Sequence, residues 1–166
     1  GYAPHYEADY GRTKAEAERL VLSSTSDDFN TVALRPPLIW GPGDTSLLPR
    51  VIERGRKGGL RRIKAPPKRQ DITYVDDAVS SVLAALDVPQ ALAVLNVGGG
   101  RPVTLDQLVA DIGEATGRTV LSERTGVQRG DVSMTWADPT RIAATLGWKA
   151  ETTLVEGLRR TAAAMT

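Results

Sequence analysis

The chain has 166 residues, of which 41% are hydrophobic and 25% are charged, and its net charge is +1. This length and composition predict one globular unit with its own core, and the near balance of 21 basic and 20 acidic residues argues against a nucleic acid partner. With no cysteine and one histidine, His5, the sequence offers no disulfide framework, no thiolate nucleophile and no usual zinc site.

The sequence shows neither a membrane segment nor a signal peptide. No apolar run approaches the roughly 18 residues of a membrane-spanning helix, and the first residues lack a charged and then apolar pattern. The basic run at 54–69 fits a solvated surface better than a phosphate site. We therefore expect a cytoplasmic protein with no metal site and no membrane contact.

The first half of the chain predicts three helices and one strand. Residues 10–25 are rich in alanine and glutamate, which favour helix, and residues 31–34 have the length and composition of a buried parallel strand. Apolar residues at 47–52 share one helical face. Asp76 and Asp77 suit the N-terminal turn of a further helix, through capping and the helix dipole. The apolar residues that recur there at helical spacing are Val79, Val82, Leu83 and Leu86.

The second half predicts one strand and three helices. Residues 93–97 read as a strand that stops at Gly98-Gly99-Gly100. This triple glycine lacks the G-x-G-x-x-G spacing of a dinucleotide-binding loop, so a turn is favoured over a pyrophosphate site. Three helices then begin at capping signals. The signals are Thr104 with Gln107, Asp138 with Pro139, and Thr153 with Glu156.

The alternation of strands and helices indicates an α/β fold. A doubly wound sheet needs several parallel strands, and residues 31–34 and 93–97 supply the two convincing ones. The chain therefore predicts about half of such a sheet, without the dinucleotide fingerprint.

Tyr10 and Lys14 are the residues with the clearest chemical potential. Their spacing of four places a phenol and an ammonium on one face of the same helix. The fixed positive charge favours the phenolate, so Tyr10 can pass a proton to or from a substrate oxygen while a hydride moves to or from a nicotinamide. Lys14 has spare donors for ribose hydroxyls. The alternative is a surface tyrosine beside a solvated lysine.

Several segments resemble the extended short-chain dehydrogenase/reductases, in the order found in that family. Residues 10–18, Y-G-R-T-K-A-E-A-E, resemble the catalytic helix, and residues 34–44 resemble the strand and loop that reach the nicotinamide and the substrate. Residues 71–78 resemble the segment D-x-x-Y/H-V-D-D/N-A, residues 96–105 the following strand, turn and helix, and residues 146–158 the C-terminal signature.

The resemblance implies the C-terminal part of a doubly wound Rossmann-type parallel sheet together with a small mixed α/β substrate-binding subdomain. Residues 1–36 and 72–97 would belong mainly to the sheet and its helices, and residues 37–71 and 98–166 mainly to the subdomain. It also implies NAD or NADP as cofactor. The residues placed at this cofactor are Tyr10 as the proton donor or acceptor, Lys14 as its activator, and Pro37 through its backbone.

The resemblance also bears on the substrate. Nucleotide-sugar epimerases and dehydratases of the family place arginines on the diphosphate, whereas the matching positions here are Gln70 and Gln128. A neutral amide cannot reproduce the bidentate grip of arginine. Arg69 and Arg129 lie one residue away, so a shift of register would restore the epimerase interpretation.

Residues 34–50 instead look closer to the 3β-hydroxysteroid-dehydrogenase-like and β-ketoacid-derived reductases. This favours an oxidoreductase of secondary alcohols or ketones with an apolar or medium-sized substrate. The substrate-binding residues implied are Leu38, Trp40, Leu47, Gln70 and Gln128, with Leu48 and Trp136 as further candidates. For each apolar one, core packing is the alternative.

Two other functions stay open: a nucleotide-sugar epimerase or dehydratase, and a truncated, non-catalytic binding module. We expect the chain by itself to bind NAD(P) poorly and to be inactive, because the glycine-rich loop is absent from it. Its partners are expected to be a small-molecule substrate and either the missing N-terminal half or a second copy of the chain.

Overall fold

The computed structural model describes residues 9–45, 53, 60–63, 69–87, 94–117, 119, 122–125 and 134–165. The helices in these ranges are α1 Asp9–Ser23, α2 Val75–Leu86, α3 Leu105–Thr116, α4 Thr140–Leu146 and α5 Leu154–Ala163. The strands are β1 Ala33–Arg35, β2 Leu38–Trp40, β3 Leu60–Ile63, β4 Arg69–Gln70, β5 Ile72–Tyr74, β6 Val94–Asn96, β7 Val103–Thr104, β8 Ser122–Thr125 and β9 Met134–Thr135. The predicted helix at 47–52 lies outside the described residues.

Parallel pairing dominates the described strands. β1 pairs with β6, β2 with β5 and β3 with β8, each in parallel. The short strand β4 lies between β7, which runs antiparallel to it, and β9, which runs parallel. The two strands that the sequence predicted with most support, β1 and β6, are therefore direct neighbours. The α/β fold class is confirmed.

The helix starts follow the capping signals with one shift. Thr104 Oγ1 accepts a hydrogen bond from the Gln107 N–H at 3.1 Å, and Thr153 Oγ1 accepts one from the Glu156 N–H at 3.3 Å. Helix α4 begins at Thr140, one residue later than expected. The Asp138 carboxylate nevertheless accepts from the Thr140 N–H at 3.0 Å, so it still satisfies a donor at the helix start.

Helix α2 has the predicted position, but large apolar residues occupy its outer face. The buried residues of α2 are small or polar, namely Asp77, Ala78, Ser81 and Ala85. The residues at helical spacing on the other side, Val79, Val82, Leu83 and Leu86, are 49% to 74% exposed. Asp76 and Asp77 lie in the first turn, but Tyr74 holds the cap position and makes no side-chain capping bond there. Their predicted capping role is therefore wrong.

The hydrophobic core joins β6 to α4 and to the residues that follow it. Leu95, Val97, Ile142 and Trp148 form a buried cluster, with relative exposures of 0% to 7%. Half-buried residues from β1, α2 and α4 pack against this cluster, including Leu34, Ala84 and Leu146. Trp148 belongs to the C-terminal signature at 146–158. This part of the chain therefore packs over the β1–β6 sheet.

Candidate active site

Helix α1 presents Tyr10 and Lys14 on an exposed surface. The Tyr10 side chain is 75% exposed, and Lys14 Nζ lies 5.7 Å from the centroid of its ring. Within the described part of the chain, neither the Tyr10 hydroxyl nor the Lys14 ammonium has a hydrogen-bonding partner. The two groups are therefore together, and both are open to a molecule arriving at this face of the helix.

An ion pair ties the same helix to the strand behind it. Arg35 at the end of β1 donates from Nε to Glu18 Oε2 at 2.7 Å and from Nη2 to Glu18 Oε1 at 2.6 Å. The Glu18 side chain is only 11% exposed. Such a two-point contact restricts rotation as well as distance. The pair thus fixes α1, and the Tyr10 side of the helix with it, against β1.

The segment after β1 divides into exposed and buried residues. Pro37 is half-buried, and Leu38 and Ile39 in β2 are each 44% exposed. Trp40 is buried, with 6% exposure, and its ring meets the Tyr74 ring edge to face at 5.3 Å between centroids. Trp40 therefore belongs to the packed interior. This favours core packing, the alternative given above, over a role in lining a substrate pocket.

The other substrate-binding candidates have different outcomes. Gln70 in β4 and Trp136 just after β9 are exposed. Since successive side chains of a strand point to opposite faces, Arg69 does not share the face of Gln70. Leu47, Leu48 and Gln128 lie outside the described residues.

Asp71 is a buried carboxylate that the sequence did not single out. Its exposure is 2%, and its Oδ2 accepts a hydrogen bond from the Ala137 N–H at 3.2 Å. Burial raises the pKa of Asp71, and hydrogen bonds from the backbone of Ala137, Gly100 and Gly99 oppose that rise. Asp71 therefore connects β5, the glycine turn and the segment after β9.

The same contact explains the triple glycine. A Cβ atom at Gly98 would lie 2.7 Å from Asp71 Oδ2 and 2.8 Å from the Ala137 Cβ, so a side chain does not fit there. Gly100 has a φ of 65°, a left-handed conformation that favours glycine. Close packing at Gly98 and the left-handed backbone at Gly100 therefore account for glycine at these two positions. The turn interpretation is supported over a pyrophosphate site.

Tyr74 and Gly157 form the contact between β5 and α5. Tyr74 is 4% exposed, and a Cβ atom at Gly157 would lie 2.9 Å from the rings of both Trp40 and Tyr74. Burial raises the pKa of Tyr74. Tyr74, the aromatic residue of the segment 71–78, therefore packs β5 against α5.

Asp77 stabilises the loop that leads into α5. Its carboxylate accepts hydrogen bonds from the Glu151 N–H at 3.0 Å and from the Thr152 N–H at 3.3 Å. Beside it, Trp148 Nε1 donates to Ser80 Oγ at 2.9 Å. Asp76 is exposed and lies 3.5 Å from Arg160. Of the two acidic residues, Asp77 therefore has the structural role, because it is buried and hydrogen bonded to the loop whereas Asp76 is exposed.

A groove of about 730 Å³ lies over this junction, between the first turn of α2, the segment after α4 and the start of α5. It does not include Tyr10 or Lys14. Among the described residues, no group of three or more histidine, cysteine, aspartate or glutamate side chains is arranged to hold a metal ion. None of the described helices has the length and apolar character needed to cross a membrane.

The parallel strand pairs, the covering helices and the Tyr10–Lys14 helix define the extended short-chain dehydrogenase/reductase class. Residues 1–95 match the 3-beta hydroxysteroid dehydrogenase/isomerase family. That match covers more than half of the chain, and the chain belongs to this family. Enzymes of the family use NAD(P).

Two curated relatives represent two different reactions. The 2-alkyl-3-oxoalkanoate reductase of Stenotrophomonas maltophilia is 38% identical over 121 residues, which are 70% of this chain and 37% of the relative. The UDP-glucuronate 4-epimerase of Thermodesulfobacterium geofontis is 32% identical over 93 residues, which are 55% of this chain and 28% of that enzyme. The chain thus spans about a third of the length of these relatives.

Similar solved structures include MoeE5 in complex with UDP-glucuronic acid and NAD. It is 30% identical, with a TM-score of 0.84, and the match covers 98% of this chain and 56% of that protein. The Rossmann-type fold expected from the sequence is confirmed by this likeness.

Proposed function

We propose that this chain supplies the proton-transferring part of an NAD(P)-dependent oxidoreductase that acts on a secondary alcohol or ketone. The observation that carries the proposal is the Tyr10–Lys14 pair, with Lys14 Nζ 5.7 Å from the Tyr10 ring on an exposed face of α1. Family membership supports the assignment of these two residues, because both lie within the matched residues 1–95.

The described residues fit one end of the cofactor. Tyr10 and Lys14 offer a hydroxyl and an ammonium for the nicotinamide ribose, and Pro37 follows the β1 strand with its side chain half-buried. The glycine turn at 98–100 does not fit the pyrophosphate end, because Gly98 packs against the buried Asp71 carboxylate and the turn lacks the G-x-G-x-x-G spacing. We therefore assign the nicotinamide end of the cofactor to Tyr10, Lys14 and Pro37.

Bound NAD(P) supplies or takes up the hydride. In the direction of reduction, the Tyr10 hydroxyl donates its proton to the substrate oxygen as the carbonyl becomes an alcohol. The Lys14 ammonium stabilises the phenolate that remains on Tyr10. Reversal of these steps oxidises the alcohol, with Tyr10 as the base. The balance is one hydride and one proton for each carbonyl.

The substrate class we propose is a 3-oxo acid with alkyl substituents, or the matching hydroxy acid. Support comes from the 38% identity to a 2-alkyl-3-oxoalkanoate reductase and from Gln70, where an arginine would be expected for a diphosphate. The exposed side chains of Leu38 and Ile39 give the segment after Pro37 an apolar surface. An alkyl chain suits that surface better than a nucleotide does.

A nucleotide-sugar epimerase is the second candidate. The observation that favours it is the likeness to MoeE5, solved with UDP-glucuronic acid and NAD, at 30% identity over 98% of this chain. Arg69 does not replace an arginine at position 70 within the same strand, because the two side chains point to opposite faces. The substrate itself distinguishes the two candidates.

We also propose the domain division that the resemblance implies. Residues 1–36 and 72–97 would belong to the dinucleotide-binding sheet, and residues 37–71 and 98–166 to the substrate subdomain. The parallel pairing of β1 with β6 across this division of the sequence supports it, since both strands fall in the first group.

The test is the variant Tyr10→Phe in the natural polypeptide that carries this chain. Turnover of a 2-alkyl-3-oxoalkanoate is followed through the absorbance of the reduced nicotinamide, and UDP-glucuronic acid is assayed in parallel by product analysis. Loss of the proton donor should lower kcat by at least about 100-fold. The cofactor Kd should change little, because the ring remains.

Tyr74→Phe is the matched control, because it removes a hydroxyl from a buried tyrosine whose ring packs against Trp40. We expect kcat of this variant to stay within a few-fold of the wild type. Undiminished turnover by Tyr10→Phe would refute the assigned role of Tyr10. Turnover of UDP-glucuronic acid without turnover of the oxo acid would select the epimerase, and failure to bind NAD(P) would select the non-catalytic module.

A further inference from the structure

The Glu18 carboxylate lies where it could compete for Lys14. Glu18 follows Lys14 by four residues on α1, and side chains at this spacing are neighbours on a helix surface. A glutamate paired with Lys14 would neutralise the charge that the Tyr10 phenolate needs and would occupy donors needed for the cofactor. In the described structure the Glu18 carboxylate is instead held by Arg35, through both of its oxygens.

Burial supports this arrangement. The Glu18 side chain is 11% exposed and lies toward β1, on the same side of the helix as the buried Ala15, whereas Lys14 is exposed. A carboxylate that has lost most of its water binds a bidentate guanidinium more strongly than a single flexible ammonium. Glu18 therefore binds Arg35 in preference to Lys14, because Arg35 makes two hydrogen bonds to the carboxylate as well as carrying a positive charge.

Among the described residues of α1, the charged neighbours Asp9, Arg12 and Glu16 pair with one another. On α1, Arg12 binds Asp9 at 3.1 Å and Glu16 at 3.0 Å. The strand β1, which packs on α1, contributes Arg35 as its charged residue. Within the described ranges no carboxylate forms a salt bridge with Lys14. Glu18 is thus the acidic group whose release would change the surroundings of Lys14 most directly.

We propose that Arg35 is a positioning residue that withholds Glu18 from Lys14, so that the Lys14 ammonium stays available to Tyr10 and to the cofactor ribose. The role of Lys14 in this statement rests on the proposed function. The competition between Arg35 and Lys14 for one carboxylate does not, and it can be measured without cofactor or substrate.

The experiment is lysine footprinting on the 166-residue chain. A limiting amount of an acetylating N-hydroxysuccinimide ester is added, and peptide mass spectrometry gives the labelling of Lys14 relative to the exposed Lys149. In Arg35→Gln, Glu18 loses its two-point contact and should pair with Lys14, which lowers the ratio by about two-fold. In the double variant Glu18→Gln with Arg35→Gln the ratio should return to the wild-type value.

The double variant separates competition from simple displacement of the helix. A Lys14 ratio that stays low in the double variant, or that does not fall in Arg35→Gln, overturns the proposal. Circular dichroism checks that each variant is folded. If Arg35→Gln unfolds, Arg35→Lys replaces it: it offers Glu18 only a single ammonium, so the ratio should lie below the wild-type value, and an unchanged ratio overturns the proposal.

A second measurement links the competition to the cofactor. In the natural polypeptide, Arg35→Gln should raise the Kd for NAD(P) and the double variant should restore it, a pattern that damage to the fold would not produce. If footprinting follows the expected pattern while turnover is independent of Tyr10, the proposed function fails and only the competition between Arg35 and Lys14 for Glu18 stands. If turnover depends on Tyr10 but footprinting does not follow the expected pattern, the proposed function stands and Arg35 has no part in it.

Discussion

Two regions of this chain depart in opposite ways from the usual placement of polar residues outside and apolar residues inside. At the junction of β5, α2 and α5, polar groups are buried and satisfied: Asp71 and Asp77 each accept backbone hydrogen bonds. On the outer surface of α1 and α2, large apolar residues such as Leu20 and Leu86 are at least 70% exposed. The catalytic pair we propose lies on α1 in this second region, where Tyr10 is 75% exposed.

The two regions contribute differently to stability and to the proposed chemistry. The junction explains why the segment 71–78 has its pattern, since its buried acids and its aromatic residue all hold parts of the chain together. The α1 and α2 surface explains nothing about stability in the described chain, because its apolar side chains gain no burial there. Stability and chemistry are therefore separable by mutation.

The largest expected difference comes from one substitution made in both regions. Leu95→Ala removes a side chain that is 1% exposed in the core cluster, and we expect the free energy of unfolding to fall by about 2–5 kcal/mol. Leu86→Ala removes one that is 74% exposed, with an expected change within about 0.5 kcal/mol. Urea denaturation of both variants measures the contrast. Equal losses would show that Leu86 is covered in solution and would break the comparison.

A smaller difference is expected between the adjacent acids of α2. Asp77→Ala leaves the N–H groups of Glu151 and Thr152 without their acceptor, which should cost about 1–3 kcal/mol. Asp76→Ala loses an exposed contact with Arg160 at 3.5 Å, which should cost about 0–1 kcal/mol. Thermal unfolding of the two variants ranks them. A larger loss for Asp76 would contradict the structural role of Asp77.

Local features of this chain were predictable from the sequence. Helix α1, with Tyr10 and Lys14 four residues apart, follows from propensity and spacing, and the caps at Thr104 and Thr153 follow from short-range hydrogen bonding. The strands β1 and β6 follow from their composition. In each case the determining residues lie within a few positions of one another, so a single sequence contains the information.

Features that depend on distant parts of the chain were not predictable. Asp71 meets Ala137 across 66 residues, and Asp77 meets Glu151 across 74 residues. The hydrophobic periodicity of α2 located the helix but not its buried face, which is decided by the small residues Ala78 and Ser81 that permit close packing. The repeated acids in an otherwise apolar segment were the available signal for buried, satisfied carboxylates.

The smallest effect concerns the charge of Asp71 inside the buried region. Burial raises its pKa, so the folded chain binds a proton more readily than the unfolded chain, whose aspartates titrate near about 3.9. The contribution of this group to stability is therefore fully present below that value and is lost as the pH rises through the folded pKa. Asp71→Asn has no such titration, although its amide oxygen can still accept from Ala137.

The free energy of unfolding of the wild type minus that of Asp71→Asn should therefore grow as the pH falls from about 7 toward about 4. Other acids cancel in this difference, because both proteins contain them. Urea titrations at several pH values measure it. A difference that shrinks on acidification would mean that the backbone hydrogen bonds from Ala137 and the glycine turn outweigh desolvation, and that even the most buried carboxylate of the junction is favourable in its charged form.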